Sequence, residues 1–379
     1  MTVLLVDCAP ELGGAQRSLL ELAAQLRTRG SSLQAAVPSG ALHDALLTAG
    51  IAVHRLPDVR LHRRLGWRSL TELAHFFCAC LVLARIIRAV RPEIIHANGL
   101  TPALLAVSVS RQFPVLWQVR DCHMHHAIVR YLSRRVASLV GISETVTECL
   151  SAIIPPAQRH KIKLIRNGID VRHFRPGNRA AARHQFQLPT AAPLVGMVAH
   201  LVPWKRHACF IELAAAIHQT LDNVHFVIAG RDLFHDHPQQ RAKLKAQITA
   251  AGLNSVFHWV EESDDIAPLL PALDVLVHPA AEEPFGRVLC EAMATEIPVV
   301  AMQSAGPGSI VPDSQAGYLV PPDDLNAFAR QTMHLLQNSE TAGRMGMAGR
   351  QHVLANFDIT RTAAEMHALY DETLGGCRT

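Results

Sequence analysis

The chain has 379 residues, and 49% of them are hydrophobic, which is enough to build two domains with separate cores. Its 36 Lys and Arg exceed its 32 Asp and Glu only slightly, and the formal charge of +4 does not indicate a nucleic-acid partner. The 8 Cys contain no CxxC motif, which argues against both a zinc ribbon and a disulfide framework. We therefore expect free thiols in a reducing cytosol.

The sequence predicts neither a signal peptide nor a membrane-spanning segment. A strand over residues 2–7 begins almost at once, without the basic and apolar segments of a signal peptide. The most apolar run, residues 76–84, is much shorter than the ~20 residues that cross a bilayer. These features predict a cytoplasmic protein.

Strand and helix patterns alternate from the beginning of the chain. The strand at 2–7 is followed by a helical pattern that ends near Gly30, and a second strand covers residues 33–37. This alternation indicates βα units and a parallel sheet, which is an α/β fold. Gly13 and Gly14 separate the first strand from the first helix, and two glycines there either form a plain turn or let the backbone approach a ligand closely.

A basic segment interrupts the alternation at residues 60–68. It contains Arg60, Arg63, Arg64, Trp67 and Arg68. Arg binds anionic headgroups and Trp favours membrane interfaces, so we interpret the segment as an acceptor loop or a peripheral contact with the cytoplasmic face of a membrane. The alternative is a solvated loop in which Trp67 packs on its own domain.

Another polar cluster follows the predicted strand at residues 114–119. Arg120, Asp121 and His123 come directly after it, where ligands bind in open parallel sheets. Three His lie within residues 123–126, but adjacent positions do not converge on one ion without a further ligand. We expect no metal here.

The second half of the chain has cationic residues after its first strands. His200 and Lys205 follow the strand at 194–198, and Arg231 follows the strand at 224–230. A fixed cation at such a place stabilises the negative charge that develops on a phosphate leaving group. The alternative for Lys205 is a solvated lysine in a turn.

Residues 282–295 contain the most informative motif. Glu283 precedes a helix start at Gly286, and the N–H groups of a first helical turn suit an anion such as a phosphate. Glu291 lies about 12 Å further along the helix, so the two carboxylates could hold the two ends of an extended ligand such as a sugar nucleotide. The alternative is a solvated Glu283 and a surface Glu291.

The residues Glu283-Pro-Phe-Gly and Glu291-Ala-Met-Ala resemble the signature of glycosyltransferase family 4. The resemblance implies a retaining enzyme with two Rossmann-like domains whose parallel sheets face each other across a cleft, the GT-B fold. It implies an acceptor-side domain at 1–175, a donor-binding domain at 176–356, and a last helix at 357–379 that crosses back to the first domain.

The resemblance also implies roles for individual residues. Glu283 would contact the donor hexose and Glu291 the ribose, while the backbone around Phe285, Gly286, Arg287 and Val288 would face the phosphates and the sugar. Lys205 would bind the phosphates.

In the first domain, the resemblance places the loop of Gly13 and Gly14 at the diphosphate and the reacting centre. It also places Arg120, Asp121 or His123 at the donor sugar. His200 stands where the family carries an Arg, so Arg206 or Arg231 would have to supply that charge, and Ser309 replaces a Glu.

We therefore predict transfer of a hexose from a nucleoside diphosphate sugar to a hydroxyl of a glycan, lipid-linked or small-molecule acceptor, in polysaccharide or glycolipid biosynthesis. No cofactor or metal is expected, because the sequence contains no Asp-x-Asp. The alternatives are a sugar-nucleotide epimerase on the same fold and a non-catalytic scaffold that binds sugar nucleotides.

Overall fold

The computed structural model describes residues 1–59, 68–233, 235–260 and 265–376. Arg60, Arg63, Arg64 and Trp67 therefore lie outside the described residues, as does the side chain of Arg68. The chain forms two compact units. Unit 1 comprises Met1–Gly168 and Ile359–Thr379, and unit 2 comprises Ile169–Asp358.

Unit 1 alternates strands with helices. Its strands are β1 (Thr2–Val6), β2 (Ser32–Val37), β3 (Ala52–Arg55), β4 (Ile94–Asn98), β5 (Val115–Val119), β6 (Ser138–Gly141) and β7 (Ile162–Leu164). Its helices are α1 (Gly14–Thr28), α2 (Ala41–Thr48), α3 (Arg68–Val90), α4 (Leu100–Val109), α5 (His126–Ser133), α6 (Glu144–Ile153) and, at the end of the chain, α14 (Ile359–Gly376).

Within the described part of unit 1, the strands form one sheet in the order β3-β2-β1-β4-β5-β6-β7, and every neighbouring pair is parallel. Strand β1 is buried almost throughout because helices cover both faces of such a sheet. Helix α14 packs on α1, and its Tyr370 is fully buried. The strand order reverses between β1 and β4, which places their carboxyl ends at the usual ligand crevice.

Unit 2 repeats the alternation. Its strands are β8 (Leu194–Val198), β9 (His225–Ala229), β10 (Phe257–Val260), β11 (Val275–His278), β12 (Val299–Met302) and β13 (Tyr318–Val320). Its helices are α7 (Arg179–Gln185), α8 (His207–His218), α9 (Gln240–Ala250), α10 (Arg287–Ala294), α11 (Ala305–Ile310), α12 (Leu325–Gln337) and α13 (Ser339–Asn356).

The described strands of unit 2 also form one parallel sheet, in the order β10-β9-β8-β11-β12-β13. The order reverses between β8 and β11, so the residues that follow these two strands share the crevice of this unit.

Helix α3 extends the apolar run at 76–84, which was expected to be too short for a membrane span. Thr71–Val90 is a 20-residue stretch that is long and apolar enough for a span by length and composition, and 22% of it is buried. The prediction compared only the run at 76–84 with the length of a membrane span. The residues on either side of it, up to Val90, extend the same helix.

The expectation that the cysteines are free thiols was wrong for Cys122 and Cys149. Their sulfurs form a disulfide that joins the loop after β5 to α6, with a Cα–Cα distance of 5.8 Å. The two residues are 27 positions apart, so no local spacing indicated the pair. Among the described residues the other cysteines are free, and Cys78 is exposed.

Candidate functional site

The loop between β11 and α10 in unit 2 brings a carboxylate to the start of a helix. Gly286 is the N-cap of α10 and has φ = 99°, a left-handed conformation that favours glycine. The amide of Gly306 donates to the carbonyl of Glu283 at 2.9 Å. A Cβ on Gly306 would lie 2.3 Å from that oxygen, so only glycine allows α11 to approach the loop this closely.

The carboxylate of Glu283 is held by two partners from different parts of unit 2. Lys205, which follows β8, makes an ion pair with Oε2 of Glu283. His278, the last residue of β11, has its Nε2 3.1 Å from the same oxygen. An ionised carboxylate only accepts hydrogen bonds, so Nε2 of His278 carries the hydrogen and donates it.

Glu283 is charged at neutral pH although it is buried. Burial by itself would raise the pKa of Glu283, but the attraction of Lys205 and the hydrogen bond from His278 outweigh it and lower the pKa to about 2. Burial lowers the pKa of His278, which favours the neutral ring that donates to the carboxylate. The cluster therefore holds one buried negative and one positive charge.

Two further side chains surround Lys205. Its Nζ lies 4.1 Å from the ring centre of Trp204, which is 43% exposed. His207 opens α8 and is buried, and burial lowers its pKa to about 4, with a smaller lowering from the positive charge of Lys205. A neutral His207 leaves Lys205 as the main positive charge of the cluster.

The second carboxylate of the motif is buried and paired, and it is not a surface residue. Oε1 of Glu291 accepts from Nε of Arg287 at 2.5 Å, one helical turn earlier. Their side chains are 6% and 11% exposed. Arg287 thus fixes the rotamer of Glu291, so the carboxylate is oriented before any ligand binds.

The side chain of Phe285 does not line the site. It is 3% exposed and packs edge-to-face on Phe357, with 5.9 Å between the ring centres. Any contact of Phe285 with a ligand must therefore come from its backbone. Val288 is half-buried in the first turn of α10, whose leading N–H groups have no partner within the helix.

His200 and Arg231 are brought together by the sheet. They follow the neighbouring strands β8 and β9, and the amide of Leu201 donates to the carbonyl of Arg231 at 2.9 Å. Gly230 has φ = 154°, and a Cβ there would lie 1.9 Å from the carbonyl oxygen of Ala199. Arg206, the other arginine considered for this charge, pairs with Asp323 at 2.6 Å.

Unit 1 has a polar network at the carboxyl ends of β1 and β4, which was not predicted. Asp7 follows β1 and is 2% exposed. It accepts from Nδ2 of Asn98 at 2.5 Å and from Nε2 of Gln16 at 3.2 Å. Burial raises the pKa of Asp7, and its hydrogen bonds, together with the charge of Arg120, oppose that change. The sequence signal that could have indicated this network is a carboxylate directly after the first strand.

Arg120 extends this network to β5. Its Nε donates to Oδ1 of Asn98 at 2.5 Å, and its Nη2 donates to Oε1 of Gln118 at 2.9 Å. Gln118 also contacts buried His96, whose pKa burial lowers to about 4. Arg120 is thus partly buried and held in place by neighbouring polar groups.

Asp121 and His123 lie in a more open environment. Nδ1 of His123 is 3.4 Å from Oδ1 of Asp121, and the two side chains are 52% and 50% exposed. The Cys122–Cys149 disulfide restrains Cys122, the residue between Asp121 and His123.

The two glycines after β1 adopt backbone conformations that other residues can also adopt. Gly14 is exposed and has open space where a Cβ would lie, and Gly13 has φ = −81°. Neither glycine is required by backbone strain.

The sequence-predicted residues thus divide between the units. Unit 2 contains His200, Lys205, Arg231, Glu283 and the helix start through Glu291, while unit 1 contains Gly13, Gly14, Asp121 and His123. Within the described ranges, no three His, Cys, Asp or Glu side chains are grouped so that they could hold a metal ion.

Two family models match the chain. The model described as Glycosyltransferase Family 4 matches residues 12–173, and the model described as Glycosyl transferases group 1 matches residues 178–352. The second match includes Lys205, Glu283 and Glu291.

Two curated relatives differ in how much they share with the chain. The D-inositol 3-phosphate glycosyltransferase of Salinispora tropica is 30% identical over 235 residues, which is 58% of this chain and 48% of that relative. The GDP-mannose-dependent alpha-mannosyltransferase of Mycobacterium tuberculosis is 25% identical over 369 residues, which is 91% of this chain and 89% of the relative.

Solved structures share the whole architecture. Anabaena HepE in complex with UDP-glucose matches with a TM-score of 0.84 at 22% identity, covering 99% of this chain and 100% of that one. The sucrose-phosphate synthase of Thermosynechococcus elongatus also matches with a TM-score of 0.84, at 20% identity and the same coverage. At these identities the likeness shows the fold, and it confirms two Rossmann-like domains of the GT-B type.

Proposed function

Since this chain belongs to glycosyltransferase family 4, we propose that it transfers a hexose from a nucleoside diphosphate sugar to an acceptor hydroxyl with retention of anomeric configuration. The observation that carries the proposal is the pairing of Lys205 with Glu283 beside the N-terminus of α10. A cation, a helix start and a buried carboxylate together suit a diphosphate joined to a sugar.

The donor lies along α10 in this proposal. Its diphosphate faces Lys205 and the first turn of α10, its hexose hydroxyls bond to Glu283, and its ribose hydroxyls bond to Glu291. Arg287 already holds Glu291 in position, so that side chain loses less conformational entropy when the donor binds. His200 and Arg231 add charge near the phosphates.

The reaction needs no nucleophile from the protein. The acceptor oxygen forms a bond to the anomeric carbon while the bond from that carbon to the phosphate oxygen breaks. The leaving phosphate oxygen takes the hydroxyl proton on the same face of the sugar. Lys205 stabilises the negative charge on the departing diphosphate, so we propose that transfer proceeds without a divalent ion.

Unit 1 supplies further catalytic groups in this proposal. Asp121 and His123 are half-exposed at the end of β5 and are available to a substrate, while Gly14 leaves space for one. The acceptor is a glycan, a lipid-linked glycan or a small molecule, and the product belongs to polysaccharide or glycolipid synthesis in the cytoplasm.

The donor proposal is tested by thermal shift with UDP, GDP, ADP and their common sugars in excess EDTA. One base series should raise the melting temperature, since a ligand that binds only the folded state stabilises it. Lys205→Ala and Glu291→Gln should lose that increase, while Glu340→Gln, at an exposed ion pair on α13, should keep it. A folded protein that no nucleotide stabilises would contradict the proposal.

Turnover separates a transferase from an epimerase or a scaffold. With the stabilising donor and a hydroxyl acceptor, free nucleoside diphosphate should accumulate together with a glycoside whose anomeric configuration, read by NMR, is that of the donor. Interconversion of sugar nucleotides without an acceptor would favour the epimerase instead.

A further inference from the structure

Helix α3 presents an apolar stripe to solvent. Leu73, Phe77 and Leu81 are 50%, 60% and 65% exposed and follow one another at four-residue intervals. Residues four apart lie on the same side of a helix, so the three side chains form one stripe about 12 Å long. Contiguous exposed apolar surface of this kind marks an interaction site more often than isolated apolar residues do.

Positive charge continues the same face. Arg85 and Arg88 are exposed in the last turns of α3. At 3.6 residues per turn, Arg88 falls on the side of the helix that carries Phe77 and Leu81. The one acidic residue in Thr71–Val90 is Glu72, which is half-buried at the beginning of the helix. The exposed face therefore combines apolar and cationic groups.

The opposite face of α3 is part of the core of unit 1. Ala79, Leu83 and Ile87 are 0%, 0% and 5% exposed, and α3 packs on α4 and β2. The helix is long enough to cross a bilayer, but crossing would strip this face from its neighbours. An orientation along the surface of a bilayer keeps the packing and still buries the stripe.

The charges also indicate what covers the stripe. Arg85 and Arg88 are exposed on α3, and between Thr71 and Val90 no acidic residue is exposed beside them. Clusters of Arg and Lys beside an amphipathic helix favour anionic lipid headgroups. The apolar stripe suits the acyl chains of such a surface, and Arg85 and Arg88 suit its anionic headgroups.

We infer that α3 lies in the plane of an anionic lipid surface, with Leu73, Phe77 and Leu81 inserted among the acyl chains and Arg85 and Arg88 against the headgroups. The inference deepens the proposed function, because it selects a lipid-linked acceptor from the three acceptor classes. The docking itself needs no bound donor.

Vesicle flotation tests the inference. The protein should float with vesicles of phosphatidylcholine and phosphatidylglycerol in equal parts and much less with phosphatidylcholine alone. Phe77→Glu/Leu81→Glu should lower the partition constant at least about a hundredfold, since each lost apolar side chain is worth about tenfold. Arg85→Gln/Arg88→Gln should remove most of the preference for phosphatidylglycerol.

A matched control uses the exposed apolar pair of α13 in unit 2. Met347 and Leu354 are 52% and 41% exposed, and Met347→Glu/Leu354→Glu should leave flotation unchanged. A dye attached to exposed Cys78, in a Cys377→Ser background, should shift its emission to the blue when vesicles are added. This second readout needs no charged substitution, so a folding defect of the glutamate variant cannot produce it.

The outcomes also separate this inference from the proposed donor site. The α3 variants should keep nucleotide stabilisation in thermal shift, and Glu291→Gln should keep flotation. A wild-type protein that floats with neither vesicle would overturn the inference whatever its donor binding. So would a dimer in solution that Phe77→Glu/Leu81→Glu converts to a monomer without any vesicle binding, because the stripe would then be a subunit interface.

Discussion

The predicted catalytic pairs of the two units both follow parallel strands at their carboxyl ends, but they differ in burial. In unit 2, Glu283 is buried, Lys205 is only 13% exposed, and the two side chains are oppositely charged and in contact. In unit 1, Asp121 and His123 are half-exposed and close to each other. Buried charges keep one geometry because separating them is costly, whereas exposed groups are screened and free to adapt. The difference suits a donor site of fixed geometry in unit 2 and more adaptable catalytic groups in unit 1.

Removing Lys205 should give the largest loss of stability. Lys205→Ala leaves the buried carboxylate of Glu283 with His278 as its remaining partner described here, and we expect unfolding to become easier by about 3–5 kcal/mol. The measurement is a urea titration. Lys243→Ala, at an exposed lysine of α9, is the control and should change stability by less than about 0.5 kcal/mol. Equal effects at the two lysines would mean that the buried pair is not what stabilises unit 2.

Acid should destabilise both units through buried histidines. The folded pKa of His207 in unit 2 and of His96 in unit 1 is about 4, below the ordinary 6.5. Between those values the unfolded chain binds protons that the folded chain does not, so stability falls as pH decreases from 6.5 to 4. Each residue accounts for on the order of 3 kcal/mol by pH 4.

Urea titrations across that pH range check the prediction. His207→Gln should flatten the dependence, and His184→Gln, at an exposed position of α7, should leave it unchanged. Glu283 adds a separate loss at lower pH, because its pKa is lowered from 4.5 to about 2 and its contribution disappears as pH falls through that interval. A stability that is flat from pH 6.5 to 4 would contradict buried neutral histidines.

Two ion pairs of identical spacing sharpen the comparison within unit 2. Glu291→Ala should cost about 2 kcal/mol, because it removes a buried ionic partner of the Arg287 guanidinium. Glu340→Ala, at the exposed pair with Arg344, should cost less than about 0.5 kcal/mol. Thermal and urea unfolding measure both. A similar cost for the two changes would show that burial does not distinguish them.

The exposed pair of unit 1 should affect stability least. Asp121→Asn and His123→Ala should each change the free energy of unfolding by less than about 0.5 kcal/mol. Removing a half-exposed side chain leaves few buried polar groups without a hydrogen-bond partner. If they act on the substrate, kcat should fall by about 100-fold while the donor dissociation constant is unchanged. An unchanged kcat would move the catalytic role to the network of Arg120, Asn98 and Asp7.

Local sequence patterns were sufficient for the fold class. The spacing of apolar runs predicted βα units in the first half, and the residues from Glu283 to Glu291 indicated the family, which implied a second Rossmann-like domain; the comparisons confirmed the family and the fold. These features depend on neighbours in the chain. Helix periodicity, strand length and a glycine at a helix start are set by nearby residues, so they can be interpreted before any contact is known.

Tertiary structure alone decided which side chains meet. Lys205 and Glu283 are 78 residues apart, and Asn98 and Asp7 are 91 residues apart. The order of strands in each sheet brings them together, and no periodicity reports that order. The same holds for α3, because its composition is apolar around much of the helix and only the packing of Leu83 against unit 1 shows that Phe77 faces solvent. Strand order determines which side chains pair, and packing determines which face of α3 is exposed. Both depend on residues far apart in the chain, which is why the sequence by itself could not determine them.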